Sequence, residues 1–271
     1  MSERRKMALE ALAVAREAAE LIMGVYAAPF AVEFKSGDDP VTRADREAND
    51  LACERLARAF PGVPIVAEES DPRTYEGYAN AASAWFVDPL DGTREFVARN
   101  GEFVVMIGLA ENGRATLGAI VEPVTGRAFA GVVGEGAWEI GRGSQPSPIR
   151  VSSRDSLAGA SFVVSRSRAP ERVQALAAKM GAREALPRGS SGFKAVLVAT
   201  GAHDVYLQPG NAGMRWDACA TEALVRAAGG QCTQEDGSPF EYDSAHLTND
   251  RGLVATNGAL HDQVISALRA R

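Results

Sequence analysis

Two carboxylates, Asp88 and Asp91, lie three residues apart around a proline and the Leu90 carbonyl, and Gly92 and Thr93 follow at once. Carboxylate and carbonyl oxygens are hard donors, and a set of them suits Mg²⁺ better than a soft metal. If Gly92 and Thr93 open a helical turn, their backbone N–H groups form a seat for an anion. Metal ligands beside an anion seat are the working parts of metal-assisted phosphoryl transfer. The same residue types also make an ordinary strand-to-helix turn, with Asp91 capping the helix and Gly92 relieving strain. Taken alone they leave both readings open.

Position depends on the flanking elements. Ala84 to Val87 is an apolar, strand-forming run of the kind that buries as an interior strand. Pro89 fixes its own φ and keeps Asp88 out of the helical region, which predicts a turn there and a helical turn from Thr93 through about Asn100. Four more acids stand at element ends. Thr42 and Asp45 open a helix running to about Phe60, where Asp45 either caps the helix or serves chemistry. Glu68 and Glu69 close the short strand Ile65 to Ala67, an arrangement that is costly unless the acids are solvated or paired with cations. Trp216-Asp217 starts a long helix that ends at Gly229-Gly230. Further on, Ser190 and Ser191 with Lys194 offer hydroxyls and a cation that suit a phosphate, or else form a capping loop with a solvated lysine.

The bulk numbers bound the partners. At 271 residues, 46% hydrophobic and 24% charged, the chain can bury a large core in two intimately packed halves. A net charge of −6 with no basic stripe argues against a nucleic-acid polymer, although bound metal would still admit an anionic small molecule. Cys53, Cys219 and Cys232 are too scattered for a disulfide framework or a CxxC site, which reads as a reducing, cytoplasmic compartment. No run is long enough for a membrane span, and the three histidines lack ligand spacing.

The first helix is predicted over Glu3 to Met23, and Lys35 to Pro40 reads as a loop. Asp71 to Ser83, polar and rich in small residues, reads as a mobile flap over the site. Val104 to Ala110, Ala115 to Val121, Arg127 to Val133 and Gly136 to Ile140 form an antiparallel meander with an Asn112-Gly113 hairpin turn. Gly141 to Pro148 is the expected linker. The remainder alternates strands (Ser161 to Ser165, Asp204 to Leu207, Gly252 to Thr256) with helices (Pro170 to Met180, Phe193 to Thr200, Leu260 to Leu268).

The string Trp85 to Phe96 resembles the Trp-x-x-Asp-Pro-x-Asp-Gly-Thr-x-x-Phe signature of the inositol monophosphatase superfamily, and Glu68-Glu69-Ser70 and Trp216-Asp217 resemble its other motifs in the same order. The resemblance implies an α+β fold, a layered αβαβα sandwich of the sugar-phosphatase type. Residues 1–145 would form an antiparallel sheet with helices and 146–271 an α/β half, together one catalytic unit. It also implies two or three Mg²⁺ ions. Asp88 would bridge, Glu68 and the Leu90 carbonyl would complete one site, and Asp91 and Asp217 the other. Thr93, with Asp45 behind it, would orient the attacking water, Glu69 would be a supporting acid, and the Gly92 and Thr93 amides would hold phosphoryl oxygens.

Within the superfamily, the run Asp88 to Phe103 is similar to that of 3′(2′),5′-bisphosphate nucleotidases, as are Val164 to Ser167, Gly189 to Ser191 with Lys194, and Trp216 to Glu222. That branch implies lithium-sensitive hydrolysis of adenosine 3′,5′-bisphosphate to AMP, with Ser190, Ser191 and Lys194 at the uncleaved phosphate. One departure is Arg168, where the branch frequently has His after Ser-Arg-Ser. The alternatives are an inositol-1-phosphate or other sugar-phosphate phosphatase and, more remotely, an inactive binding relative. The resemblance leaves room for a homodimer and for peripheral association with the inner membrane.

Overall fold

The computed structural model describes residues 1–35, 39–141, 143 and 145–270. The middle of the Lys35–Pro40 loop and part of the Gly141–Pro148 linker lie outside the described residues.

Five layers stack in the order helices, sheet, helices, sheet, helices. The first holds α1 (Glu3–Tyr26) and α2 (Arg43–Ala59). Their contact is lined by small side chains, Ala8, Ala11, Ala15 and Ala18 on one and Ala44, Ala48 and Ala52 on the other, which lets both helices lie close to each other and to the sheet. The small hairpin β1 (Val32–Phe34) and β2 (Pro40–Thr42) joins them, the strands on either side of the predicted loop pairing antiparallel.

The second layer is a seven-stranded sheet of β3 (Ile65–Ala67), β4 (Ser83–Asp91), β5 (Val104–Glu111), β6 (Arg114–Val121), β7 (Ala128–Val132), β8 (Gly136–Glu139) and β9 (Ser147–Ile149), adjacent in sequence order. Only β3 and β4 pair in parallel. Both faces are covered, so these strands read as continuous apolar runs. On β5, Val105, Ile107 and Leu109 face α1 and α2, and Val104, Met106 and Ala110 face the other way. The last strand takes part of the predicted linker, and the chain leaves this sheet after Ile149.

The fourth layer is a five-stranded mixed sheet in the order β11-β10-β12-β14-β13. It is built from β10 (Ser161–Ser165), β11 (Glu184–Arg188), β12 (Val205–Gln208), β13 (Gln231–Thr233) and β14 (Leu253–Thr256). Between the sheets lie α5 (Ser191–Ala199) and α6 (Arg215–Ala227), and outside lie α4 (Pro170–Lys179) and α7 (His261–Arg269). Neither β11 nor β13 was legible in advance. The first contains a proline and the second has three residues, and both are edge strands that take their pairing from a neighbour.

A row of glycines sets the spacing of the middle layer. Gly108, Gly118 and Gly131 are cross-strand neighbours on β5, β6 and β7. A Cβ at Gly108 would lie 2.6 Å from the Ala220 nitrogen, one at Gly118 2.6 Å from the Ala220 oxygen, and one at Gly131 2.8 Å from the Ala227 Cβ. The absent side chains let α6 rest backbone to backbone on the sheet, and this depth fixes where its first turn, with Asp217, meets the end of β4.

Three expectations about the region around β4 are corrected. The strand runs on through Pro89 to Asp91 instead of turning, because a bulge absorbs the proline. The helical turn beyond it, α3 (Thr93–Val97), stops short of Asn100. The segment Asp71 to Ser83 is no flap. Its short helical turns bury Tyr75 and Tyr78, the Tyr78 hydroxyl donates to the Ser244 carbonyl at 2.5 Å, and none of it borders the cleft described below.

Candidate active site

The cleft encloses about 360 Å³ where the end of β4, the start of α5 and the start of α6 meet. Asp88 and Asp91 reach it together only because of the bulge. In a regular strand an odd separation points two side chains to opposite faces. Here Asp88 pairs with Met106 and Asp91 with Val104, three residues against two, and the extra residue returns Asp91 to the side of Asp88. The Leu90 amide donates to Asp88 Oδ1 at 3.1 Å, bracing the bulge from within.

Asp217 arrives from α6. One of its oxygens caps that helix, accepting from the Met214 amide at 2.6 Å. Asp88, Asp91 and Asp217 each place a carboxylate oxygen within 4.8 Å of the others. Burial pushes the Asp217 carboxyl up to about 8, with Asp91 and Glu68 adding to the effect. Burial likewise holds Asp88 well above the usual carboxylate range, reinforced by Glu68, Asp91 and Asp217. Three acids this close repel one another unless protonated or bridged by a cation, and their all-oxygen donor set fits a hard divalent ion.

Glu68 and Glu69 stand beside them at the end of β3. Burial raises the Glu68 carboxyl and, opposed by the bond from Lys35, brings that of Glu69 to about 7. Lys35 comes over from the β1–β2 hairpin, with its ammonium 2.9 Å from Glu68 Oε1 and also paired with Glu69. Burial works against that charge, but the two acids outweigh it and raise the lysine above its ordinary value. This cation was missed in the sequence, where Lys35 reads as one polar residue of a loop and nothing local names its partners.

Asp45 caps its helix and at the same time holds Thr93, which lines the cleft. Its Oδ2 accepts from the Thr42 amide at 2.7 Å and the Thr42 hydroxyl at 2.6 Å. Its Oδ1 accepts from the Thr93 hydroxyl at 2.9 Å, a shorter contact than the 3.3 Å from that hydroxyl to the Leu90 carbonyl. Burial raises the Asp45 carboxyl against these bonds. Gly92, at φ 98°, permits the tight exit from β4, and a Cβ there would come 3.0 Å from the Glu102 carbonyl. With five residues in α3, the Gly92 and Thr93 amides act as local N–H donors rather than through a long helix dipole.

The opposite wall comes from α5 and its approach. Ser190 Oγ and the Gly192 amide donate to Asp91 Oδ2 at 2.5 and 2.7 Å. Ser191 Oγ lies 3.2 Å from the Tyr206 hydroxyl. Lys194 is not a solvated surface lysine but buried, and burial lowers its ammonium to about 8 despite Asp91 and Glu95 nearby. Glu102 of the Asn-Gly-Glu-Phe run, a residue the sequence marked only as a branch feature, accepts from the Gly189 amide at 2.7 Å and pairs with Arg166 at 2.8 Å. Arg168 lines the cleft, its Nη1 donating to the Asn211 carbonyl at 2.8 Å and side-chain oxygen at 2.9 Å. Among the described residues no carboxylate pairs with it.

Comparison with known proteins fits this geometry. The model of the inositol monophosphatase family matches residues 3–271. The chain belongs to that family. Membership makes it a metal-dependent phosphatase of the superfamily, and the acid cluster offers oxygen donors that could hold such an ion. It is 35% identical over 231 residues to the 3′(2′),5′-bisphosphate nucleotidase CysQ of Escherichia coli, covering 84% of this chain and 91% of that one. Among solved structures it superposes on the Thermotoga maritima IMPase with a TM-score of 0.82 at 26% identity, covering 99% and 98% of the two chains. On CysQ from Bacteroides thetaiotaomicron the TM-score is 0.73 at 29% identity, with 93% and 97% covered. The layered αβαβα sandwich is thus the fold of this family. No helix among the described residues is long and apolar enough to cross a membrane.

Proposed function

We propose that this chain is a Mg²⁺-dependent 3′(2′),5′-bisphosphate nucleotidase that removes the 3′-phosphate of adenosine 3′,5′-bisphosphate, releasing AMP and phosphate. The observation that supports this reading is that Arg168, with no carboxylate ion pair among the described residues, lines the same cleft as the clustered acids. A substrate with one phosphate needs only the acid cluster. A second phosphate gives the guanidinium a partner of matching fork geometry. The curated relatives named CysQ support the same substrate class.

Glu68, Asp88, Asp91, Asp217 and the Leu90 carbonyl would hold two or three Mg²⁺ ions. When bound, such ions neutralise the phosphate and make a coordinated water more acidic. The chain's own groups then have distinct tasks. Thr93 donates its proton to Asp45 Oδ1, so the lone pairs of its oxygen are free to accept from a water; as that water's proton passes to the Thr93 oxygen, the Thr93 proton passes to Asp45, which becomes the neutral acid. Glu69, held by Lys35, supports Glu68. Gly92, lacking a side chain, lets a phosphoryl group approach the backbone. Water attacks directly, and no phosphoenzyme forms.

The deciding assay is phosphate release from adenosine 3′,5′-bisphosphate and from inositol-1-phosphate, with Mg²⁺ and with a chelator. The expected result is a higher kcat/KM for the bisphosphate, abolished by chelation. Arg168→Leu should raise KM for the bisphosphate by about 10- to 100-fold, the value of a charge-assisted hydrogen bond. It should act far less on inositol-1-phosphate. A higher kcat/KM for inositol-1-phosphate would overturn the assignment. That second reading is favoured by the likeness to solved inositol monophosphatases, such as that of Thermotoga maritima.

A further inference from the structure

We infer that Glu102 is a positioning residue for the second phosphate: its carboxylate clasps two turns of the other sheet and sets where Arg168 stands relative to the acid cluster. The inference rests on the proposed reading of Arg168 as the partner of that phosphate. Glu102 lies just before β5, in a turn shaped by its own neighbours. Gly101 takes φ 81°, and the Asn100 side-chain oxygen accepts from the Glu102 amide at 3.0 Å. The Glu102 backbone packs against Gly92, where a Cβ would meet the Glu102 carbonyl at 3.0 Å. Its place is therefore fixed from the side of the acid cluster.

From there the carboxylate, its side chain 16% exposed, reaches across to the second sheet. Its Oε2 accepts from the Gly189 amide, just after β11, at 2.7 Å. The same oxygen lies 2.8 Å from Nη1 of Arg166, just after β10, as an ion pair rather than an aligned hydrogen bond. The Arg166 amide donates to the Arg188 carbonyl at 2.9 Å, so Glu102 grips both turns as one unit. The other acid near that guanidinium, Glu95, stands 3.7 Å away, beyond hydrogen-bond range. Arg168 comes two residues after Arg166. Next to it Ala169 takes φ 46° directly before Pro170, a left-handed value that its own Cβ and the proline both disfavour. Such a conformation persists where the surroundings hold it. Two holds flank it here: Arg166 on Glu102, and the Arg168 guanidinium on Asn211. When that guanidinium turns to a phosphate, the contact with Asn211 weakens and the grip of Glu102 remains.

The test is steady-state kinetics of the full chain with Mg²⁺ on two substrates, adenosine 3′,5′-bisphosphate and adenosine 3′-monophosphate. The second keeps the phosphate to be cleaved and lacks the other. Glu102→Gln retains an oxygen for the Gly189 amide and removes the charge that faces Arg166. The expected result is that the kcat/KM preference for the bisphosphate over the monophosphate falls about 5-fold or more, the value of a half-buried ion pair. Arg166→Met should lower that preference to a similar degree, and the double variant should lose less than the sum, because both act on one turn. In an Arg168→Leu background, where the phosphate partner is already gone, Glu102→Gln should change the preference by less than about twofold. A Glu102 that merely supports the fold would lower both substrates alike. An unchanged preference in Glu102→Gln, or a loss that adds in full to that of Arg168→Leu, would therefore overturn the inference. If Glu102→Gln does not fold, Arg166→Met decides, an unchanged preference again refuting it. A wild-type chain with no preference for the bisphosphate would refute the reading of Arg168 itself, a result distinct from both.

Discussion

Replacing Asp217 by Asn should make the metal-free protein more stable while crippling it as an enzyme. The Asp217 carboxyl sits at about 8 in the folded chain against an ordinary 3.8, so between these values the folded state holds a proton that the unfolded state has lost. The stability of the metal-free protein therefore falls as pH rises through this window, and the loss is complete above about 8. One proton changes stability by a little over ~1 kcal/mol per pH unit at most, so from pH 6 to pH 8 the ceiling is roughly 3 kcal/mol. Coulomb's law gives the same order. Two charges at the 4.8 Å outer limit of this cluster repel by about 3.5 kcal/mol at an effective dielectric of about 20.

The carboxamide introduced by Asp217→Asn cannot ionise, yet its oxygen can still accept from the Met214 amide, so the helix cap survives. For a chain this long, ~2–4 °C accompanies each kcal/mol, and Asp217→Asn should melt roughly 5–10 °C above wild type at pH 8 in chelator. The gap should shrink toward pH 6. Calorimetric melts at several pH values, with chelator and with Mg²⁺, provide the measurement. Mg²⁺ should raise the wild-type Tm most at pH 8, and kcat/KM of the variant should fall at least about 100-fold. Melting curves that run parallel with pH, or a variant less stable than wild type at pH 8, would refute the reasoning.

The remaining predictions address the supports of the site. Gly118→Ala inserts a methyl group 2.6 Å from a backbone oxygen of α6, which must lift. Chemical denaturation should show a loss of about 1–3 kcal/mol, and displacement of Asp217 should lower kcat as well. Thr93→Val keeps the shape and removes the hydroxyl, so kcat should fall by roughly 100-fold or more with KM little changed; a kcat within threefold of wild type would release Thr93 and Asp45 from water handling. Tyr78→Phe removes the bond to the Ser244 carbonyl and should cost about 1 kcal/mol of stability without altering kcat or KM. An altered KM there would restore the Asp71–Ser83 segment as a cover of the cleft.

The readable part of this protein is whatever neighbours in sequence determine. Helix boundaries follow caps such as Thr42 with Asp45, the hairpin at Asn112-Gly113 follows from residues that tolerate positive φ, and the apolar runs of β4 to β7 mark a sheet covered on both faces. The motif residues Glu68, Asp88, Asp91, Thr93 and Asp217 were legible because their types and order are distinctive, as was the family they imply. Tertiary structure alone decided which way they point. Three residues of separation should set Asp88 and Asp91 on opposite faces, and only pairing with β5 reveals the bulge that reunites them. Lys35 meets Glu68 and Glu69 across 33 and 34 positions, and Ser190 meets Asp91 across 99. No local preference encodes such pairs. They exist because the β1–β2 hairpin folds against the end of β3 and because the turn into α5 closes over the end of β4, while glycines on β5, β6 and β7 let α6 bring Asp217 to the same place, contacts that form only when both sheets and the helices between them are packed.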